Sequence, residues 1–265
     1  MAGVVRELSS PDNPALRRAS RLAQEPGASR ETGLVWLEGE HLCGAFLGRA
    51  GQAVQALIAA SAWTGSPALA QLARTAAEVL VLPDRLFARL SSLPSPAGLA
   101  FVAPRPVPSR PDPSRPAVLL DRVQDAGNVG SILRTAAAFG VSQVWALRGT
   151  AGLWSPKVLR AGMGSHFGLA LSEGLSLQDL EPGGLPWVGT SLQATCTLPA
   201  AVLPAQAIWA FGHEGRGLDE AVLARCDLTV RIPQPGGEES LNVAAAAAVC
   251  LYEALRRRYA IGSPT

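Results

Sequence analysis

Five stretches in the second half of the chain are almost wholly apolar: Ala117 to Leu120, Val144 to Leu147, Trp187 to Thr190, Ala207 to Phe211 and Leu228 to Ile232. A strand with one face in water alternates apolar and polar residues, so unbroken runs call for burial on both faces. Helical segments fall between them, notably Val129 to Phe139 and Leu241 to Arg258. Covered strands that alternate with helices predict an α/β fold, a mostly parallel sheet flanked by helices.

Ahead of these runs, prolines recur every two or three residues from Ala103 to Pro116 and no hydrophobic period survives. That stretch reads as a stiff, extended linker, residues 103–116, between a domain at 1–102 and a second at 117–265. A length of 265 residues suits two domains with real cores. In the first, Leu34 to Leu37, Val54 to Ala59, Glu78 to Leu82 and Leu99 to Val102 read as strands. Ser66 to Thr75 and Asp84 to Leu90 read as helices, with Asp84 a candidate cap, so this is a smaller α/β domain. Upstream, Pro14 to Arg30 carries Arg17, Arg18, Arg21 and Arg30 on an expected helix. A solvated helix face is the plainer reading of such a run; an RNA contact by Arg17, Arg18 and Arg21 is the alternative.

Composition narrows the class. Hydrophobic residues make up 48% of the chain, which excludes a disordered one. The start mixes charge and proline where a secretory signal needs an apolar stretch, so a cytoplasmic protein is expected. Val243 to Leu251, the longest apolar run, is half of what a membrane span needs. Cys43, Cys196, Cys226 and Cys250 lie far apart with no CxxC pair, so neither disulfides nor a metal site is expected. The net charge is only +2, and Lys157 is the one lysine, so a nucleic-acid face must be local rather than global.

Ligands of open α/β sheets bind beyond the carboxyl ends of strands, where loops and helix N-termini present free backbone groups. Three such loops are unusual here. The first strand runs into DRVQDAGNVGSILRTAAAFG, Asp121 to Gly140, in which Asn128 is a candidate helix cap and Arg134 lies near the helix start. The fourth ends in GHEGRGL, Gly212 to Leu218, where three glycines surround Glu214; His213 reads as a loop-structural residue. The fifth ends in PQPGGEES, Pro233 to Ser240, and enters an Ala-rich helix with Ser240 as its expected N-cap. Asn242 would then sit inside that helix, where a poor helix former needs another reason to be present. No GxGxxG follows the first strand, no GxxxxGK[ST] occurs, and no GxSxG elbow appears, which disfavours dinucleotide, P-loop and hydrolase chemistry.

Taken in order, NVGSILRTAAAFG, FGHEGRGL and IPQPGGEESLNVAAAAA resemble the three motifs of the SpoU (TrmH) family of RNA ribose 2′-O-methyltransferases, and PKVLRAGMGS, Pro156 to Ser165, is similar to a segment between its first two. SPDNPALRR and LEGEHL resemble the small ribosomal L30e-like substrate-binding domain that precedes the catalytic domain in many members. The resemblance implies a C-terminal SPOUT-type fold with a trefoil knot, an exception to the rule that chains do not thread loops. It implies S-adenosyl-L-methionine as cofactor, held by loops that include Thr190, Gly212, Gly215, Ile232, Pro233 and Leu241, and a homodimer. The positions that match the family's functional residues are Asn128, Arg134, Glu214, Ser240 and Asn242. His213 stands where the family more often has Asn, Gln234 where it has Met, and Ala244 where it has Ser.

The expected reaction is methylation of a ribose 2′-hydroxyl in structured RNA, ribosomal RNA ahead of transfer RNA. The resemblance gives Arg134 the task of engaging that hydroxyl. A guanidinium stays protonated and offers only donors, so the expectation is that Arg134 grips the phosphate beside the target ribose. Glu214 would orient Asn128 or Arg134, with Ser240 and Asn242 fixing the loop and the substrate. An inactive RNA-binding relative is the main rival.

Overall fold

A computed structural model of the chain describes residues 4–181, 183–236 and 240–260. The chain forms β1 (Val4–Glu7), α1 (Pro14–Gln24), α2 (Ala28–Thr32), β2 (Leu34–Glu38), α3 (Glu40–Arg49), β3 (Gln55–Ala59), α4 (Ala60–Gly65), α5 (Pro67–Ala73), β4 (Glu78–Leu82), α6 (Asp84–Leu90) and β5 (Leu99–Pro104). It continues through β6 (Ala117–Asp121), α7 (Ala126–Ala138), β7 (Gln143–Leu147), α8 (Pro156–Gly162), β8 (Ala170–Leu175), β9 (Trp187–Thr190), β10 (Ile208–Gly212), α9 (Glu220–Leu223), β11 (Leu228–Val230) and α10 (Val243–Ala260). Two compact units result: Met1–Val107 with Trp154–Phe167, and Pro108–Leu153 with Gly168–Thr265.

The first unit is built on a sheet of order β1-β4-β3-β5-β2. β1, β4 and β3 run parallel, while β5 is antiparallel to β3 and β2. The amphipathic α1 buries Leu16, Ala19 and Leu22 among Trp36, Leu57, Leu80, Leu86 and Phe87. Asn13 caps α1 by accepting from Ala15 N at 2.9 Å, with Pro14 at the first helical position. Asp84 does not cap its own helix: its Oδ1 accepts from Ser61 N at 3.1 Å, at the start of α4. Strand β1, absent from the sequence reading, is an exposed edge whose VVRE has no apolar run to announce it.

Residues 154–167, expected with the catalytic half, belong to this unit. Helix α8 packs on β2, and Phe167 meets Phe46 edge to face with centroids 5.4 Å apart. Between them Met163 and Gly164 take left-handed backbone (φ 49 and 79), and a Cβ on Gly164 would lie 2.6 Å from that of Ala45.

The second unit holds a six-stranded sheet of order β11-β9-β10-β6-β7-β8, and every described pair is parallel. Leu119, Trp145, Trp187, Ile208 and Ala210 form a core with Leu218 and Val222. Helices α7 and α10 pack on each other, with Ala247, Cys250 and Leu251 of α10 buried. From β6 the chain steps outward to β7 and β8, then crosses to β9 and returns, so that β10 lies between β9 and β6. The order reverses at β6 and β10, the place where an open parallel sheet leaves a crevice at its strand ends. Strand β8 escaped the sequence reading because Ser172, Glu173 and Gly174 interrupt its apolar residues.

The Pro-rich stretch, expected as a stiff, extended linker over residues 103–116, is pinned along much of its length. β5 extends to Pro104, and Arg105 N donates to Gly33 O at 2.8 Å within the first unit. In the second unit Ser109 N donates to Leu171 O at 3.2 Å, Leu185 N to Pro113 O at 2.8 Å, and Gln143 Nε2 to Asp112 O and Arg115 O at 2.9 and 3.2 Å. Proline carbonyls still accept, so a run with few N–H donors is anchored through bonds that leave no periodic trace.

Candidate active site

Register explains why two of the three unusual loops meet. Gly212, at the end of β10, pairs with Asp121, at the end of β6, so the loops that follow both strands leave the sheet side by side. Thr190 and Val230 pair likewise at the ends of β9 and β11. All four strands are parallel, so these loops emerge at one edge.

Glu214 organises the junction. Its carboxylate accepts from Asp125 N at 3.1 Å, Gln124 N at 3.3 Å and Asn128 Nδ2 at 3.1 Å. Asn128 Oδ1 in turn accepts from Asn242 Nδ2 at 2.9 Å. A chain of side chains thus joins the second loop to the first and the first to the third. Burial raises the Glu214 pKa, but hydrogen bonds from its own amide, Asn128, Asp125 and Gln124 outweigh it and hold the group below the usual carboxylate value.

Two capping assignments change. Asp125, not Asn128, caps α7, accepting from Asn128 N at 2.8 Å. Asn128 is thereby left with its whole amide for Glu214 and Asn242. Helix α10 begins at Val243, so Asn242 lies at its entrance rather than inside it, and its Oδ1 accepts from Ala244 N and Ala245 N at 2.9 and 3.2 Å. That capping explains the poor helix former, and Asn242 does it while still donating to Asn128. Ser240 is exposed and takes no part in this cap; Glu238 and Glu239 lie outside the described residues.

Arg134 is exposed on α7, two turns beyond Asn128, and has no hydrogen-bond or ion-pair partner among the described residues. The arginines of α1 differ. Arg17 pairs with Asp12 at 3.1 Å, Arg18 donates to Gln55 Oε1 at 2.6 Å, and Arg21 pairs with Glu25 at 2.8 Å and with Glu31. A cavity of about 410 Å³ lined by Arg17, Ser20, Arg21, Gln24 and Arg89 lies in the first unit.

The remaining named residues sit on three loops. Thr190 Oγ1 donates to Ala210 O at 3.3 Å, closing the end of β9 on β10. Gly212 is buried against backbone, since a Cβ there would lie 2.2 Å from the carbonyl carbon of Gly217. Gly215 N donates to His213 Nδ1 at 2.9 Å, and His213 and Gly217 exchange backbone bonds of 3.0 and 2.8 Å, so His213 shapes the loop. Ile232 is half-buried, while Pro233 and Leu241 are exposed. Sequence reading passed over Asp125 and also Asp121, a 2% exposed carboxylate at the end of β6. A buried acid closing an apolar strand was the available signal for Asp121.

Residues 115–252 match the profile of the SpoU rRNA Methylase family. The chain belongs to that family. The likeness reaches beyond the matched segment: a Synechocystis protein described as an uncharacterized tRNA/rRNA methyltransferase is 34% identical over 98% of this chain and 97% of its own. The Bacillus subtilis 23S rRNA guanosine 2′-O-methyltransferase RlmP is 34% identical over 67% of this chain and 73% of its own. Among solved structures, the SpoU methyltransferase AviRb of Streptomyces viridochromogenes in complex with AdoMet superposes with a TM-score of 0.85 at 25% identity, covering 95% of this chain and all of that one. No helix among the described residues is long and apolar enough to cross a membrane.

Proposed function

We propose that this SpoU protein transfers a methyl group from S-adenosyl-L-methionine to a ribose 2′-hydroxyl of structured RNA, with ribosomal RNA as the substrate. One observation carries the proposal: the polar chain Glu214, Asn128, Asn242 spans three strand-end loops, and the helix that starts there bears Arg134, which has no partner among the described residues. RlmP, named for 23S rRNA, supports the RNA class.

The residues fit the cofactor. The ends of β9, β10 and β11 adjoin, and Gly212 keeps the second loop tight against its own backbone. Gln234 Oε1, beyond β11, is buried without a partner among the described residues, an acceptor suited to an amino group such as adenosine carries. Thr190, Gly212, Gly215, Ile232, Pro233 and Leu241 would hold the cofactor largely through backbone groups, and the chain there would be threaded as a trefoil knot. When bound, S-adenosyl-L-methionine would supply an electrophilic methyl on sulfur, with the S–CH3 bond broken, the neutral thioether as leaving group and the hydroxyl proton released to water.

This chain's own part is placement. Attack requires the hydroxyl oxygen in line with the methyl and sulfur, and orientation of this kind is worth several kcal/mol, up to roughly 10 in ideal cases. Arg134, exposed and unpaired among the described residues, grips a phosphate beside the target ribose and brings the hydroxyl to the site. Asn128, fixed from both sides, offers its oxygen and amide in one orientation. Ser240, on the exposed third loop, contacts the substrate.

The unit containing residues 4–107 holds the RNA, and the protein works as a cytoplasmic homodimer. Val249, Tyr252 and Tyr259 support a second copy, for they recur at intervals of three and seven along α10 and are 42, 54 and 54% exposed. Incubation with tritiated S-adenosyl-L-methionine and RNA from cells lacking the protein tests the whole reading. Label should enter ribosomal RNA as an alkali-stable 2′-O-methyl nucleotide. No label in any RNA would overturn it, and label confined to transfer RNA would replace the substrate.

A further inference from the structure

We propose that Arg122 is a positioning residue for this reaction, holding the loop after β6 in register with the loop after β10. The inference rests on the methyltransferase reading above. Arg122 has φ 57, and only one other described non-glycine residue, Met163, has a positive φ. An L side chain rarely enters this region because its Cβ crowds the neighbouring carbonyl, so other contacts must hold it there.

Those contacts come from both loops. Arg122 Nε donates to Asp121 Oδ1 at 2.9 Å and Nη2 to Asp121 Oδ2 at 3.1 Å, a two-pronged pair with its own neighbour. The same Nη2 lies 3.4 Å from Asp219 Oδ2, and Asp219 N donates to Asp121 Oδ2 at 2.7 Å. Gly149, with φ 91, makes room: a Cβ there would lie 3.1 Å from Arg122 Cγ.

The consequence is a double grip. Asp219 follows β10 and holds residues 121 and 122, while Glu214, on the same loop, holds the amides of Gln124 and Asp125. The gripped segment ends at Asp125, the cap of the helix that bears Asn128 and Arg134. The buried Val123 ties the segment to the loop after β7 through a bond from Ala151 N to its carbonyl at 2.9 Å, and Arg122 ties the start of the segment to the loop after β10. Stabilisation explains the inner pair, because Asp121 is a buried carboxylate with its side chain 3% exposed, but it explains the outer one poorly. The Arg122 and Asp219 side chains are 31 and 49% exposed, where ion pairs add little, and the backbone is strained.

The test uses the intact protein and three variants, Arg122→Asn, Arg122→Lys and Asp219→Asn. Asparagine accepts left-handed backbone, so Arg122→Asn removes the guanidinium without adding strain, and lysine keeps the charge but loses the fork. Single-turnover transfer from labelled S-adenosyl-L-methionine to ribosomal RNA from cells lacking the protein should fall about 10-fold or more in Arg122→Asn, with KM for that RNA unchanged. Arg122→Lys should recover part of the rate, and Asp219→Asn should fall between it and wild type. Hydrogen exchange should quicken in residues 123–128 and not in β7 or α10, and Arg122→Lys, which keeps a cation beside the buried Asp121, should hold the thermal midpoint near that of wild type. Wild-type rate and exchange in Arg122→Asn would overturn the proposal, and so would a general loss of protection with a lowered midpoint in Arg122→Lys. If the wild type transfers no methyl at all, the methyltransferase reading fails, while local exchange still decides whether Arg122 holds the loop.

Discussion

The sheet edge under α1 in the first unit and the strand-end loops of the second treat their polar side chains in opposite ways. In the first, the arginines nearest the sheet are absorbed by the fold: Arg18 donates to Gln55, Gln55 donates to Glu78 at 2.6 Å, and Glu78 pairs with Arg6 at 3.4 Å, a ladder across β3, β4 and β1. In the second, Glu214 and Asp121 are aimed at main-chain amides of a neighbouring loop, and Arg134 is left with no partner among the described residues. A saturated network holds a scaffold, whereas an unpaired cation beside a rigid polar chain is available to a ligand. The catalytic reading therefore comes from where a free cation stands, on the helix entered through a polar chain that joins three loops, not from how many charges a region contains.

That contrast is broken or sharpened most strongly by a pair of substitutions. Arg134→Ala should lower methyl transfer by about 100-fold or more while the thermal midpoint and calorimetric affinity for S-adenosyl-L-methionine stay close to wild type. Arg18→Ala should do the reverse, leaving the chemical step intact and costing about 1 kcal/mol in denaturant unfolding through the lost bond to Gln55. An active Arg134→Ala protein would remove the distinction between the units.

Glycines give the next largest effect. Gly212→Ala places a Cβ within 2.2 to 2.4 Å of the Gly217 and Leu218 backbone, where no side chain can swing aside, so the loop must shift. Overpacking of this kind costs about 1–3 kcal/mol, and affinity for S-adenosyl-L-methionine should fall at least 10-fold by calorimetry. Gly215→Ala meets nothing nearer than 3.8 Å and should leave both quantities almost unchanged. Equal affinities in the two variants would detach the second loop from the cofactor.

The parallel sheet was legible because unbroken apolar runs have few other uses, and β9 and α6 begin and end where the sequence reading placed them. What escaped depends on contacts between distant residues. Asn128 and Ser240 look like caps locally, yet Asp125 and Asn242 do the capping, because Asn128 and Asn242 also bond each other across 114 positions. Residues 154–167 read as catalytic because their motif lies between catalytic motifs, and no local pattern reveals that α8 packs on β2. The α1 arginines fall between these cases: a charge run is visible in sequence, but their partners Glu31 and Gln55 are 10 and 37 residues away.

Gly164→Ala probes that returning segment. The substitution combines a φ of 79 with a Cβ 2.6 Å from Ala45, and should destabilise the first unit by about 1–3 kcal/mol. Hydrogen exchange should quicken in β2 and α3 while β6 and β10 keep their protection. Faster exchange throughout would mean that the two units unfold as one and that their contrast has no thermodynamic counterpart.

The smallest expected effect tests whether a charge network in the second unit behaves like those of the first. Glu253 on α10 accepts from Arg256 Nε and Arg257 Nε, both at 2.7 Å, and these hydrogen bonds pull its pKa down to about 2. Arg257 also donates to Leu198 O at 2.8 Å and Pro199 O at 3.0 Å, tying α10 to the loop beyond β9. A carboxylate depressed in the folded state contributes stability that is complete above its unfolded value, near 4.3, and is lost as pH falls toward about 2. Glu253→Gln should therefore flatten the acid limb of an unfolding profile between those two values and leave stability near pH 7 slightly lower. Glu214, depressed in the same direction, should keep its own share of that limb in the variant, so an acid limb unchanged by Glu253→Gln would assign the whole of it to groups other than the α10 network.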